Sequence, residues 1–226
     1  MGKIYAVLTG DIVKSTSRTS AEMRRVRSSL ERAAKAIESA GWPGRRSGRL
    51  VRGEPDFFRG DSWQLLLADP RWALRSAVLI RADLQSRLGV DSRISIGLGP
   101  VSNVSTKRTS LSRGEAFSLS GQGLDEEMGA RYRLAIVVPP AWRHPCADWL
   151  RVAARLCDSV IVQWQGRQVE VALLACLHPG ASQAEIGELL DPPVSQQSVA
   201  KTMRSAGWPG VEDAMERFET IEELQP

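Results

Sequence analysis

The chain has 226 residues, 42% of them hydrophobic, and a formal net charge of +4. That is enough for one large domain or two small ones around a packed core, and no apolar run approaches the ~20 residues that a membrane-spanning helix needs. With only two histidines, His144 and His178, the sequence points away from a His-rich metal site or a His relay as the basis of function.

The start, Met1-Gly-Lys-Ile-Tyr-Ala, leads straight into a strand-like run, so no signal peptide is expected. Cys146, Cys157 and Cys176 have no metal-like spacing and point to small buried residues in a reducing cytoplasm. Charge is uneven along the chain. Residues 1–166 carry 26 Lys/Arg against 16 Asp/Glu, and residues 167–226 carry 4 against 10. The balance of +10 and then −6 implies two units with different partners, the first of them attractive to phosphates.

Residues 3–10 read as a buried strand that delivers Asp11 to its end, in Asp11-Ile-Val-Lys-Ser-Thr16. A helix follows over 20–40. Met23, Val26, Leu30, Ala34 and Ile37 recur at steps of three and four, Ser20 is a possible N-cap, and Arg24, Arg25, Arg27, Arg32 and Lys35 occupy the opposite face. Gly41–Gly48 is a loop by its Gly and Pro content. Residues 54–68 read as a hairpin turning at Arg59-Gly60-Asp61, so a second lone carboxylate stands where a strand meets a turn. Asp is common in turns for purely local reasons. Two aspartates on neighbouring strands, however, are also what holds Mg²⁺ or Mn²⁺ against nucleotide phosphates.

A second helix is expected to start near Pro70, a favoured first-turn position. Residues 92–98 alternate like a strand, 100–113 read as a polar flexible loop, 114–128 as a third helix and 133–138 as a further strand. The order β-α-β-β-α-β predicts an α+β fold with a ferredoxin-like, split βαβ core over 1–140. In that topology Asp11 and Asp61 share one sheet edge. Residues 141–166 form a helical connection, and 167–226 read as a small all-α domain. Within it, Arg167–Leu177, Ser182–Leu190 with a Ser182/Glu185 capping box, and Ser195–Ala206 have helix-turn-helix spacing. Gln196, Gln197, Ser198, Lys201 and Arg204 are the residues that would reach DNA, Gln reading adenine and Arg reading guanine or phosphate. The acidic end, Glu212 to Glu223, opposes that reading if it lies nearby. Trp42-Pro-Gly44 recurs as Trp208-Pro-Gly210, and both are expected to stop a helix.

Four short stretches, in order, carry a family resemblance. Asp11–Thr16, Phe58-Arg-Gly-Asp61, Ile94–Val101 and Gly114–Ser120 resemble the first-metal motif, second-metal hairpin, Gly-Pro turn and late helix of class III nucleotidyl cyclase catalytic domains. The resemblance implies a nucleoside triphosphate site, with Asp11 and Asp61 on Mg²⁺ or Mn²⁺, Lys14, Ser15, Thr16 and Arg59 near the phosphates, and a homodimer. It also marks departures. Lys14 stands where cyclases have Gly, Ser118 and Gln122 where they have Asn and Arg, and Phe57 and Leu111 where they select the purine. The whole chain, Trp164 and Gln168 included, resembles the SatD family, bacterial proteins associated with acid tolerance that join a cyclase-like front to a helix-turn-helix back.

The leading expectation is therefore a cytoplasmic bacterial regulator, nucleotide and metal in front and DNA or a partner behind. Alternatives are a metal-dependent nucleotidyl or phosphoryl transferase steadied by Arg59 or Lys107, a nucleic-acid binder using 24–35 and Arg45, Arg46, Arg49 and Arg52, and a scaffold with vestigial aspartates.

Overall fold

The computed structural model describes residues 3–45, 47–58, 60–104, 109–129, 131–142 and 145–224. Its elements are β1 (Ile4–Ile12), α1 (Ser20–Ser39), β2 (Val51–Phe58), β3 (Ser62–Leu67), α2 (Ala73–Leu88), β4 (Ser92–Asn103), β5 (Arg113–Gly114), α3 (Glu115–Gln122), β6 (Leu134–Val137), α4 (Pro145–Ile161), α5 (Arg167–Leu177), α6 (Gln183–Leu189), α7 (Gln196–Ser205) and α8 (Trp208–Glu219). The fold is mixed α and β, built on a largely antiparallel sheet. Among the described residues, no helix is long and apolar enough to cross a membrane.

The strand order is β2-β3-β1-β4-β5, with β6 parallel to β4. β1 is central and antiparallel to both neighbours, with Val7 opposite Leu66 and Gly97. It is apolar on both faces because both are covered. Ala6, Leu8, Leu65, Ile94 and Ile96 join the core formed with α1 and α2. Alternate residues Val7 and Leu66 meet Ala116 of α3 on the other side. Gly97 lets α3 lie directly on β4, since a Cβ there would stand 2.2 Å from the Ala116 carbonyl oxygen.

α1 follows its predicted periodicity, burying Val26, Leu30, Ala33, Ala34 and Ile37. Its cap lies one residue before Ser20. Thr19 accepts from Glu22 N–H and donates to the Glu22 carboxylate, which also takes Thr19 N–H. α2 starts after a short 3₁₀ turn at Pro70–Trp72 and is buried almost throughout from Ala73 to Leu84. The segment expected to be a loop from residue 100 continues β4 to Asn103, and residues 105–108 lie outside the described residues.

A buried polar knot binds α2, β4 and α4. Arg81 is fully buried and clasps Asp91 at 2.9 and 2.8 Å and Asp158 at 2.7 Å. Arg133 adds a side-chain bond to Asp91 and a backbone bond to Asp158. Burial pushes Asp91 up, but its hydrogen bond and charge attraction to Arg81, then Arg133, outweigh this and hold it below the usual carboxylate range.

The C-terminal helices join the same core. Val169, Ala172, Cys176, Trp208, Met215 and Phe218 belong to the cluster containing Leu8 and Leu65. Trp42 stacks on Trp72 with ring centroids 5.0 Å apart and donates its indole N–H to Cys176 O. A helix ends three residues before each Trp-Pro-Gly, α1 at Ser39 and α7 at Ser205, and Trp208, with Pro209 in the first turn, also begins α8. A smaller cluster, Val171, Ile186, Leu190 and Val199, closes α5 over α6 and α7.

Candidate functional site

The register that pairs β1 with its neighbours assembles the site. Asp11 lies opposite Ser62 on β3 and Arg93 on β4. Asp61 is therefore one residue from the position facing Asp11, at the same end of the sheet. Small and polar residues pin the backbone here. Gly10 leaves room for the Trp63 indole, whose N–H donates to Ser92 Oγ, and Ser92 Oγ donates to Asp11 O at 2.6 Å.

Arg93 takes both Asp11 carboxylate oxygens, through Nε at 2.8 Å and through Nη2. The hydrogen bond with Asp11 holds the guanidinium above its ordinary pKa against the effect of burial, helped by the charges of Asp11, Asp125 and Asp61. Asp11 meets the guanidinium directly, and Asp125 and Asp61 act on it through space by charge alone. Nothing in the sequence reading marked Arg93 or Asp125. Arg93 belonged to an alternating strand, and only the β1–β4 register sets it opposite Asp11.

Beyond Asp61 the charge reverses. A depression of about 560 Å³ opens between the start of α1 and the β2–β3 turn, lined in part by Ser15, Thr16, Arg18, Arg24, Arg27 and Asp61. Ser15 Oγ donates to Asp61 Oδ2. Ser20, Met23, Arg24 and Arg27 also line it, and their i, i+3, i+4, i+7 spacing makes them one stripe of α1. The same spacing could have singled out Arg24 and Arg27 from the arginines of that helix. Arg27 stacks over Phe57 at 5.0 Å and donates to Gly60 O.

The structure brings Asp61, Ser15 and Thr16 together. Lys14 is exposed and does not line the depression, but it is the only non-glycine with positive φ among the described residues, at 57°. Arg59, Arg46 and Lys107 lie outside the described residues. The α1 N-terminus is closed by its own Thr19–Glu22 capping box, so it offers fewer free N–H groups to an anion than the sequence implied.

On α3, Ser118 and Gln122 are exposed, and Gln122 donates to Glu126. Their neighbour Ser120 points inward. Gln64 donates to Thr9 Oγ1, Thr9 and Ser120 share a 2.7 Å bond, and Ser120 Oγ donates to Phe117 O.

At the other end of the sheet, Lys3, Arg49 and Arg52 line a second depression of about 290 Å³. Arg45 also lines it but is tied to Glu38 at 3.1 Å. On the C-terminal helices, Gln196, Gln197, Ser198, Lys201 and Arg204 are all exposed. Gln197, Lys201 and Arg204 form one stripe of α7. Ser198 serves the cap, its N–H bonded to Ser195 Oγ. Gly187 permits the tight α6–α7 packing, since a Cβ would lie 2.4 Å from Val194 O. Of the acidic residues on α8, Glu219 pairs with Arg75 of α2 at 2.6 Å.

No protein-family model matches the chain, and no curated protein matches it.

Proposed function

We propose that this protein is a nucleotide-responsive bacterial regulator of the cytoplasm, with a cyclase-like front and a helix-turn-helix back. The observation that carries the reading is the juxtaposition at one sheet end of two carboxylates, Asp11 and Asp61, with the arginine-lined depression next to them. A phosphate chain with its divalent cation has the complementary pattern of charge.

The strand order β2-β3-β1-β4, with α1 and α2 packed in one core with it, supports the reading of a split βαβ, ferredoxin-like front. The positive φ of Lys14 supports the cyclase resemblance, because the cyclase pattern has Gly at that position and Gly adopts such a conformation most readily.

Among the described residues no group of three or more Asp, Glu, His or Cys is poised around one ion. Mg²⁺ or Mn²⁺ needs only one or two carboxylates when phosphates and water complete its shell. Asp61 and Asp11 fit that requirement, Asp11 once the Arg93 guanidinium moves off it. The cation would neutralise phosphate charge. Ser15 and Thr16 would bond phosphate oxygens, and Arg24 and Arg27 would orient the chain.

The back domain reads DNA or a partner through Gln197, Lys201 and Arg204. Ligand held on α1 reaches it through packed helices, α1 against α2, α2 against α5, and α5 against α7. A ligand biases such a path only by its differential affinity for two arrangements. A transferase reading has less behind it, since Ser118 and Gln122 bring no positive charge to a developing phosphate. A homodimer, as in cyclases, is part of the proposal.

The test is calorimetric titration of the four ribonucleoside triphosphates with Mn²⁺, comparing the parent with Asp61→Asn, and mass spectrometry of the products. Binding that is lost in the variant, with the triphosphates intact, supports a sensor. Unchanged binding in Asp61→Asn overturns the reading, and a new product that disappears in the variant makes the protein an enzyme.

A further inference from the structure

We infer that the α1 stripe captures a phosphate chain directly, without a divalent cation, and that Asp61 opposes this capture until a cation arrives. This rests on the proposed nucleotide site and specifies what that site recognises: a linear polyphosphate, free or as part of a nucleotide, with the base secondary.

Three guanidinium groups, Arg18, Arg24 and Arg27, line the depression against one carboxylate, Asp61. Asp11 adds no uncompensated charge, because both its oxygens are taken by Arg93. The depression is therefore net positive in this state, even though the sheet end beside it is acidic. Arg18 Nε is buried without a hydrogen-bond partner. A buried guanidinium N–H normally has one, and a phosphate oxygen is a strong charge-assisted acceptor. Arg27 is already held in place by the Phe57 ring and Gly60 O, so little side-chain freedom remains to be lost on binding. Ser15, whose hydroxyl now donates to Asp61, stands at the boundary between the two charge zones. At about 560 Å³ the depression has the size of an ordinary small-molecule site.

The arrangement gives Asp61→Asn opposite effects under two conditions. Without metal, the substitution removes the one negative charge lining the depression, and anion binding tightens. With Mn²⁺ present, it removes a cation ligand, and nucleotide binding weakens. A purely metal-mediated site weakens or stays silent in both.

The experiment titrates inorganic tripolyphosphate, and separately ATP, into the protein in EDTA and then in Mn²⁺, with Asp61→Asn, Arg24→Gln and Arg24→Gln/Arg27→Gln as variants. Circular dichroism confirms that each variant is folded. Expected in EDTA are binding of both ligands, weakening of about tenfold in Arg24→Gln, loss in the double variant, severalfold tightening in Asp61→Asn, and decline with added salt. Tripolyphosphate binding similar to that of ATP assigns recognition to the phosphates, whereas binding of ATP alone overturns that assignment. Binding only in Mn²⁺ overturns this inference and leaves the metal–nucleotide reading standing. No binding under either condition overturns both.

Discussion

At Asp11 a single backbone register decides what a side chain does. The residue is a carboxylate at a strand end, which is common and uninformative alone. Pairing with β4 places Arg93 across from it, and pairing with β3 brings Asp61 alongside. The register in turn depends on Gly10, where a Cβ would sit 2.5 Å from the Trp63 ring and 2.7 Å from Arg93 O. Neither neighbour can give way easily, one being a buried indole and the other backbone. Gly10→Ala is therefore expected to destabilise the fold by about 1–3 kcal/mol through overpacking. Urea denaturation followed by tryptophan fluorescence measures this, and an unchanged midpoint would mean that Trp63 repacks without loss.

Among the elements, α1 shows how one helix serves two purposes. Its apolar stripe joins the core, while a neighbouring stripe, Ser20, Met23, Arg24 and Arg27, faces the depression. The apolar stripe was legible from spacing because burial selects residue type strongly. The second is just as periodic, so spacing groups Arg24 and Arg27 with Ser20 and Met23, but what stands opposite that stripe is set only by the fold. α2 makes the contrasting case, since burial on nearly all sides erases periodicity and leaves charge to be met internally. Arg81 on that helix neutralises Asp91 and Asp158 inside the protein. Removing it takes from two buried carboxylates the guanidinium they share, and Arg81→Met is expected to cost roughly 3–5 kcal/mol. Asp91, held below the usual range when folded, contributes stability that is present above its unfolded value and is lost as pH falls through the folded one. Equilibrium unfolding at neutral and acidic pH tests both points: the variant should lose most at neutral pH, and a uniform small loss would show that the knot contributes little.

For the whole molecule, the decisive feature is that α5 and α8 are packed into the core of the sheet and its helices. Trp42, Trp72 and Cys176 meet there, and Arg75 reaches Glu219 across it. Burial, together with the nearby charge of Asp158, pushes the Cys157 thiol up to about 11, and burial pushes Cys176 up to about 12. Neither forms thiolate near neutral pH, so both should resist iodoacetamide at pH 8 in the folded protein and react once it is unfolded. Peptide mapping reads this site by site. Rapid labelling of Cys176 in the native state would mean that α5 opens away from the sheet.

The sequence by itself determined the elements whose signals are local. The strand ending at Asp11, the hairpin around Gly60-Asp61, the α1 apolar stripe and the Ser182–Glu185 capping box all follow from periodicity, turn chemistry and capping within a few residues. Only the tertiary structure decided which charges meet. Arg93 on Asp11, Arg24 and Arg27 beside Asp61, and Arg81 on Asp158 are pairings across long sequence separations. Nothing in a residue's own neighbourhood encodes them, because the energy of a charge depends on what folding sets within a few ångströms of it and on how much water folding removes.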